Sequence, residues 1–325
     1  MALLAHQNQD PPCFLLIGKQ VVSITSSHLL RDPESTFHTV FPPSARAPPA
    51  RGFSAQNPYR LPGRVRAYLF WAFYHAAVDG LPAPPILTHT DFQHVLEVGR
   101  FAHKFSLRGM HTRALRALQS AEHALLVRAM QADPDVLRYI LQITSCDAPA
   151  AAALRQHTRA AFRWAPDRAP ASPAELRALI LVVGARGDHA LLSALYQAYL
   201  AADADVAALP PRHRAHVQRG QRSLQGWVVR YLPGPVPPLR ASAPGHEECR
   251  VYWADAWGLA ATDPAVEAVD AADVFRRLHV FGERLEALGC RPCCVAVGRG
   301  LEDPVEQLKE QVFDGLASLF FGIMV

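Results

Sequence analysis

Apolar residues in this chain recur first at strand spacing and then, beyond residue 61, at helix spacing. Phe14-Leu15-Leu16-Ile17, the turn signal Gly18-Lys19 and the β-branched run Val21-Val22-Ser23-Ile24 read as a β-hairpin. Asp32-Pro33-Glu34-Ser35 then reads as a helix start, with proline and acids in its first turn. Residues 57–61 are expected to be extended, because Pro58 and Pro62 disfavour helix at the residue before them. Thr90-x-x-Gln93 has the form of a capping box. Phe92, Val95, Leu96 and Gly99 follow the i, i+3, i+4, i+7 rule for one buried face. Leu107, Met110, Ala114, Leu115 and Leu118 repeat that spacing in the next helix.

From residue 121 to 209 the pattern is helical, interrupted at Asp133-Pro134, at Asp147-Ala148-Pro149 and over 164–173. Its sharpest start is Ser172-Pro173-Ala174-Glu175, a cap, a first-turn proline and a glutamate at the third position. Leu176, Leu179, Ile180 and Val183 follow, and Gly184 stops the run. A partner helix is expected to begin at Asp188 and bury Leu191, Leu192, Leu195 and Tyr199. After a proline-rich linker over 232–245, three more helices are expected at 249–257, 270–288 and 303–321. Val274, Leu278, Phe281, Leu285 and Leu288 form the seam of the middle one, and Asp303-Pro304-Val305-Glu306 caps the last.

Half of the 325 residues are apolar, enough for a packed core in one large or two modest domains. The 27 prolines gather in connecting stretches, which marks those as loops. A net charge of +4 is slight for this length and makes no case for nucleic acid by itself. Met1 is not followed by a signal peptide's apolar segment, and the longest apolar runs, 68–78 and 316–325, fall short of the roughly 20 residues that span a bilayer. Six cysteines, three of them crowded together, do not form a secreted disulfide framework. An intracellular protein, cytoplasmic or nuclear, with no membrane partner is the expectation.

The order of hairpin, helix and strand resembles the opening of BTB/POZ domains. Gly52-Phe53-Ser54-Ala55-Gln56-Asn57-Pro58-Tyr59-Arg60-Leu61 is similar to the strand that precedes a Tyr-ended helix in divergent BTB proteins of the type expanded in basidiomycete fungi, and Leu69-Phe70-Trp71-Ala72-Phe73-Tyr74 stands where that helix would be. Val95-Leu96, Phe101 and Phe105 resemble the next helix pair, and Ala198-Tyr199-Leu200 with the late Cys/Trp block looks like the family's C-terminal extension. The chain departs from the pattern in its Pro/Ala loop at 44–56 and in carrying Ser26-Ser27-His28-Leu29-Leu30 where a His-Lys-x-x-Leu turn is usual.

The resemblance implies an α+β fold: a BTB/POZ-like domain over 13–118, a helical extension over 119–231, the linker at 232–245 and a helical module over 246–325 that holds the Cys cluster. It also implies a protein-binding role, either self-association as a homodimer or recruitment of a cullin-type scaffold or transcriptional regulator. The aromatic group Tyr68, Phe70, Trp71, Phe73 and Tyr74 is too dense for a fully exposed surface, so some of it is expected in the core and the remainder on an interaction face, for which Leu69, Phe70, Trp71, Phe73 and Tyr74 are the candidates.

Other chemistry is thin. His246-x-x-Cys249 with Cys290-Arg291-Pro292-Cys293-Cys294 has a zinc-like outline, with Cys249, Cys290, Cys293 and His246 as candidate ligands. The alternative is ordinary reduced thiols. A thioredoxin-like role fits poorly, because the C-x-x-C follows a helix instead of opening one. The histidines are scattered, and nucleophile-elbow, P-loop, dinucleotide and HExxH patterns are absent, so no enzyme is expected and no other cofactor. Residues 212–230 form the best basic patch, with Trp227 and Tyr231 interleaved as in nucleic-acid binders. The alternative readings are therefore a zinc-stabilised helical adaptor and a weakly basic nucleic-acid-associated regulator.

Overall fold

A computed structural model of the chain describes residues 12–17, 19–25, 33–41, 52–61, 67–82, 87–163, 171–234, 249–288 and 304–322. Over these residues the protein is mostly helical with one small sheet, an α+β fold. The chain divides into two compact units: residues 1–129 with 135–158, and residues 130–134 with 159–325. The expected boundary at 118/119 therefore falls inside the first unit, because the helices after it pack back on the ones before.

In the first unit, β1 (Pro12–Ile17) and β2 (Gln20–Thr25) pair antiparallel, with Cys13 opposite Ile24 and Leu16 opposite Val21. Strand β3 (Tyr59–Arg60) joins the free side of β1 in parallel, which gives the order β2-β1-β3. Cys13, Leu15 and Ile17 alternate inward, the period-two pattern of a sheet covered on one face. Helix α1 (Thr36–Val40) is shorter than the sequence suggested and starts later: Pro33 and Glu34 lie in a turn, Ser35 is extended, and Thr36 N–H donates to the Phe105 carbonyl. That long-range bond takes a backbone donor which a helix beginning at Asp32 would have used internally.

Helices α2 (Ala67–Val78), α3 (His89–Lys104) and α4 (Arg108–Gln119) pack in succession. The α3 capping box lies at Thr88 and Asp91, two residues before the one expected at Thr90, because Asp91 both receives the Thr88 backbone donor and lies at the N3 position. Its predicted face holds: Phe92, Val95, Leu96 and Gly99 are all buried. The core is a chain of phenylalanines, Phe37 to Phe105 at 4.9 Å, Phe105 to Phe101 at 4.6 Å and Phe101 to Phe73 at 4.6 Å between ring centroids. Helices α5 (His123–Ala132), α6 (Pro134–Ile143) and α7 (Pro149–Ala160) follow. His111, buried in α4, donates from Nε2 to the Ile143 carbonyl at 2.8 Å and ties α4 to the end of α6.

In the second unit, α8 (Pro173–Gly184) and α9 (His189–Ala201) form the expected helical hairpin, with the Ser172/Glu175 capping box and the Asp188 cap both in place. A 3-10 turn at Val206–Ala208 leads to α10 (Pro211–Tyr231). Then come α11 (Cys249–Ala261), α12 (Pro264–Glu267), α13 (Val274–Leu288) and α14 (Pro304–Phe321). Helix α13 begins at Val274 and not at Asp270, because Asp270 accepts the Ala272 N–H in a turn of its own and Asp273 accepts at the helix start. Leu288, expected in its seam, is 48 % exposed, whereas Val274, Leu278, Phe281 and Leu285 are buried. Asp303, the expected cap of α14, lies outside the described residues.

The last helix packs on α9 and α10. Phe320 lies directly over Gly220 of α10, where an added Cβ would come within 2.0 Å of the ring. His213 similarly covers Gly184, and the Tyr196 hydroxyl meets His213 Nδ1 at 2.6 Å. Burial pushes the Tyr196 phenol up, and burial followed by the Arg212 charge pushes the His213 imidazole down.

Candidate interaction surface

Helix α2, Ala-Tyr-Leu-Phe-Trp-Ala-Phe-Tyr-His-Ala-Ala-Val, is apolar nearly all the way round, more than one buried stripe requires. Leu69, Phe70, Ala72, Phe73 and Ala76 go into the core. Tyr68, Trp71, His75 and Val78 stand on the outer side at spacings of three, four and three residues, and so share one face. Tyr68 is 40 %, Trp71 36 % and Val78 53 % exposed.

The group singled out from the sequence is thus divided. Leu69, Phe70 and Phe73 are buried, Tyr74 is half-buried, and Tyr68 and Trp71 are on the surface. Val78 was missed, although its spacing from Trp71 could have placed it.

Ring contacts join the outer face to the core. Phe70 meets Trp71 edge-on at 5.5 Å and Tyr74 in a stack at 6.2 Å, while Trp71 meets Tyr74 at 5.8 Å and His75 at 6.3 Å. Trp71 and His75 on the outer face are therefore braced by other rings, which lowers the entropy cost of fixing them against a partner. His75 and Asp79 make an exposed pair at 3.6 Å at the polar end of the stripe. His94, on neighbouring α3, sits below the ordinary imidazole value because burial disfavours its charge; His75 adds repulsion and Asp91 opposes it. Singly scattered apolar surface residues are ordinary, but a braced stripe along a whole helix is the pattern of a docking face.

The proposed zinc ligands are not brought together among the described residues. Cys249 opens α11, whereas His246, Cys290 and Cys293 lie outside them, and no group of three or more His, Cys, Asp or Glu residues there could hold a metal ion. The basic segment forms the single helix α10. No helix among the described residues is long and apolar enough to cross a membrane. No family model, curated protein or solved structure matches the chain.

Proposed function

We propose that this chain is a non-enzymatic, BTB/POZ-like interaction module that associates with a second copy of itself through the outer face of α2. The observation that carries the reading is the stripe Tyr68, Trp71, His75 and Val78, apolar and aromatic over three turns of a helix whose other side is already anchored in the core. The element order supports it: a hairpin, a short helix, a strand parallel to β1 and an aromatic helix come in the sequence that the family resemblance implies. A stripe centred on Trp71 and His75 is self-complementary, so a two-fold axis through it sets the two aromatic faces against each other. Recruitment of a cullin-type scaffold or a transcriptional regulator would use the same face.

Light scattering over a concentration series tests the reading, with Tyr68→Glu/Trp71→Glu as the variant. Both residues are on the surface, so the variant is expected to keep its thermal transition while the dimer dissociation constant rises about 30-fold or more, the loss of a central aromatic anchor. A monomer at every concentration, or a dimer indifferent to the variant, would refute self-association through α2.

A further inference from the structure

Helix α10 runs for 21 residues without a single Asp or Glu and carries five arginines, more positive charge than the net +4 of the whole chain. At 3.6 residues per turn, Arg212, Arg219, Arg222 and Arg230 fall within an arc of about 80°. All four are exposed, and the small residues Ala215 and Gly226 lie between them in the same arc. The opposite side, Val217, Gly220, Leu224 and Val228, is buried. Arg214 points elsewhere, donating to the carbonyls of Ala207 and Leu209.

Nothing among the described residues neutralises that row. The carboxylates of α14 are taken by other cations: Asp314 by Arg159, Glu306 and Glu310 by Arg163. The α10 arginines make backbone contacts only, Arg219 to the Phe321 carbonyl at 3.2 Å and Arg222 to that of Gln218 at 3.3 Å. Each guanidinium has five N–H donors, so most remain available.

At the C-terminal end of the row, and off its arc by about 100° from Arg230 in the case of Tyr231, Trp227 and Tyr231 are stacked, with centroids 5.5 Å apart and planes 27° from parallel. Tyr231 is 41 % exposed beside Arg230. From Arg212 to Arg230 the row spans about 27 Å at 1.5 Å per residue, the length of roughly eight nucleotides at 3.4 Å each.

We infer that α10 binds single-stranded nucleic acid, with the arginine row along the phosphates and Tyr231, next to Arg230 and braced by Trp227, stacking on a base that turns round the end of the helix. Four cations in line with no counter-charge among the described residues call for a polyanion, and a stacking platform at the same end of the helix as Arg230 calls for an unpaired base. An anionic membrane fits less well, because an interfacial helix needs its apolar side outward and that of α10 is buried. The site is separate from α2 and stands or falls without the self-association reading.

Fluorescence anisotropy with a labelled oligo(dT) of about twelve nucleotides, titrated across a salt series with the full-length chain, tests this. Binding is expected to weaken steeply with salt, and in Arg222→Ala/Arg230→Ala the slope of log K against log salt is expected to fall by about 1.4, or 0.7 for each lost phosphate contact on a single strand. Tyr231→Ala is expected to weaken binding about tenfold with the slope unchanged, because it removes stacking and no charge. These residues are exposed, so circular dichroism melts should match the parent. No binding at low salt, binding indifferent to these variants, equal affinity for duplex DNA, or a stronger preference for phosphatidylserine vesicles would overturn the inference.

Discussion

Helices α2 and α10 solve opposite problems. Helix α2 has more apolar surface than the core can take, and the surplus is left outside as Tyr68, Trp71 and Val78. Helix α10 has a narrow buried stripe, Val217, Gly220, Leu224 and Val228, and the rest of it is mostly polar or basic, with Trp227, Val229 and Tyr231 as apolar exceptions near its C-terminal end. For α10 the pattern alone decides which side is buried. For α2 it does not, since several rotations would bury a comparable area, and the neighbours choose among them. The surplus left on the surface is apolar area on α2 and positive charge on α10.

The contrast on α2 is sharpest at two residues two positions apart. Phe73 is 1 % exposed and stacks on Phe101 at 4.6 Å. Phe73→Ala is expected to cost about 3–5 kcal/mol, a large share of the stability of an ordinary domain. Trp71→Ala should stay within roughly 1 kcal/mol in the monomer. Chemical denaturation of the two variants separates them; equal losses would mean that Trp71 is core and that α2 has no outer face.

Two glycines make the corresponding contrast on α10. An alanine at Gly220 would drive its Cβ into the Phe320 ring, and Gly220→Ala is expected to destabilise by about 1–3 kcal/mol as α14 is pushed away. Gly226 has nothing within 4 Å of such a Cβ, and Gly226→Ala should stabilise by roughly 0.5–1 kcal/mol through helix propensity alone. Thermal melts of the pair should move in opposite directions. A shift of the same sign would mean that the packing of α14 on α10 is wrong or that the Gly226 face is covered.

The smallest effect is one the two units share. Burial is the first cause holding His111 below the ordinary imidazole value, with His103 adding repulsion and the Ile143 carbonyl opposing. In the second unit His213 and His216 are held down the same way, with Arg212 contributing to both. Below about pH 6.5 the unfolded chain takes up protons that the folded chain resists, so stability present at neutral pH is lost as pH falls. Denaturation midpoints measured from pH 7.5 down to 5 should decline, and His111→Gln should flatten the part that comes from the first unit. A rise on acidification would contradict the buried, neutral imidazoles.

Much of the fold could be read from local pattern. The Ser172/Glu175 box, the Asp188 cap, the α3 face and the β1–β2 hairpin each depend on residues a few positions apart, where capping groups and periodicity act directly. Helix starts shifted where a distant or competing group claimed the terminus, as Phe105 did for α1 and Asp270 for α13. The candidate site was half legible. The aromatic density of α2 and the basic run of α10 were evident, but not that Leu69, Phe70 and Phe73 face inward, nor that the arginines form one uncompensated row.

The periods of two and 3.6, the caps and the proline breaks settled which stretches are strands and which helices, because those preferences are written in each residue's own backbone and its near neighbours. Tertiary structure alone decided that α14 returns to α9 and α10, that Phe320 fits over Gly220, and which side of α2 stays outside. Those outcomes depend on shape and charge brought together from far along the chain, and no local preference encodes them.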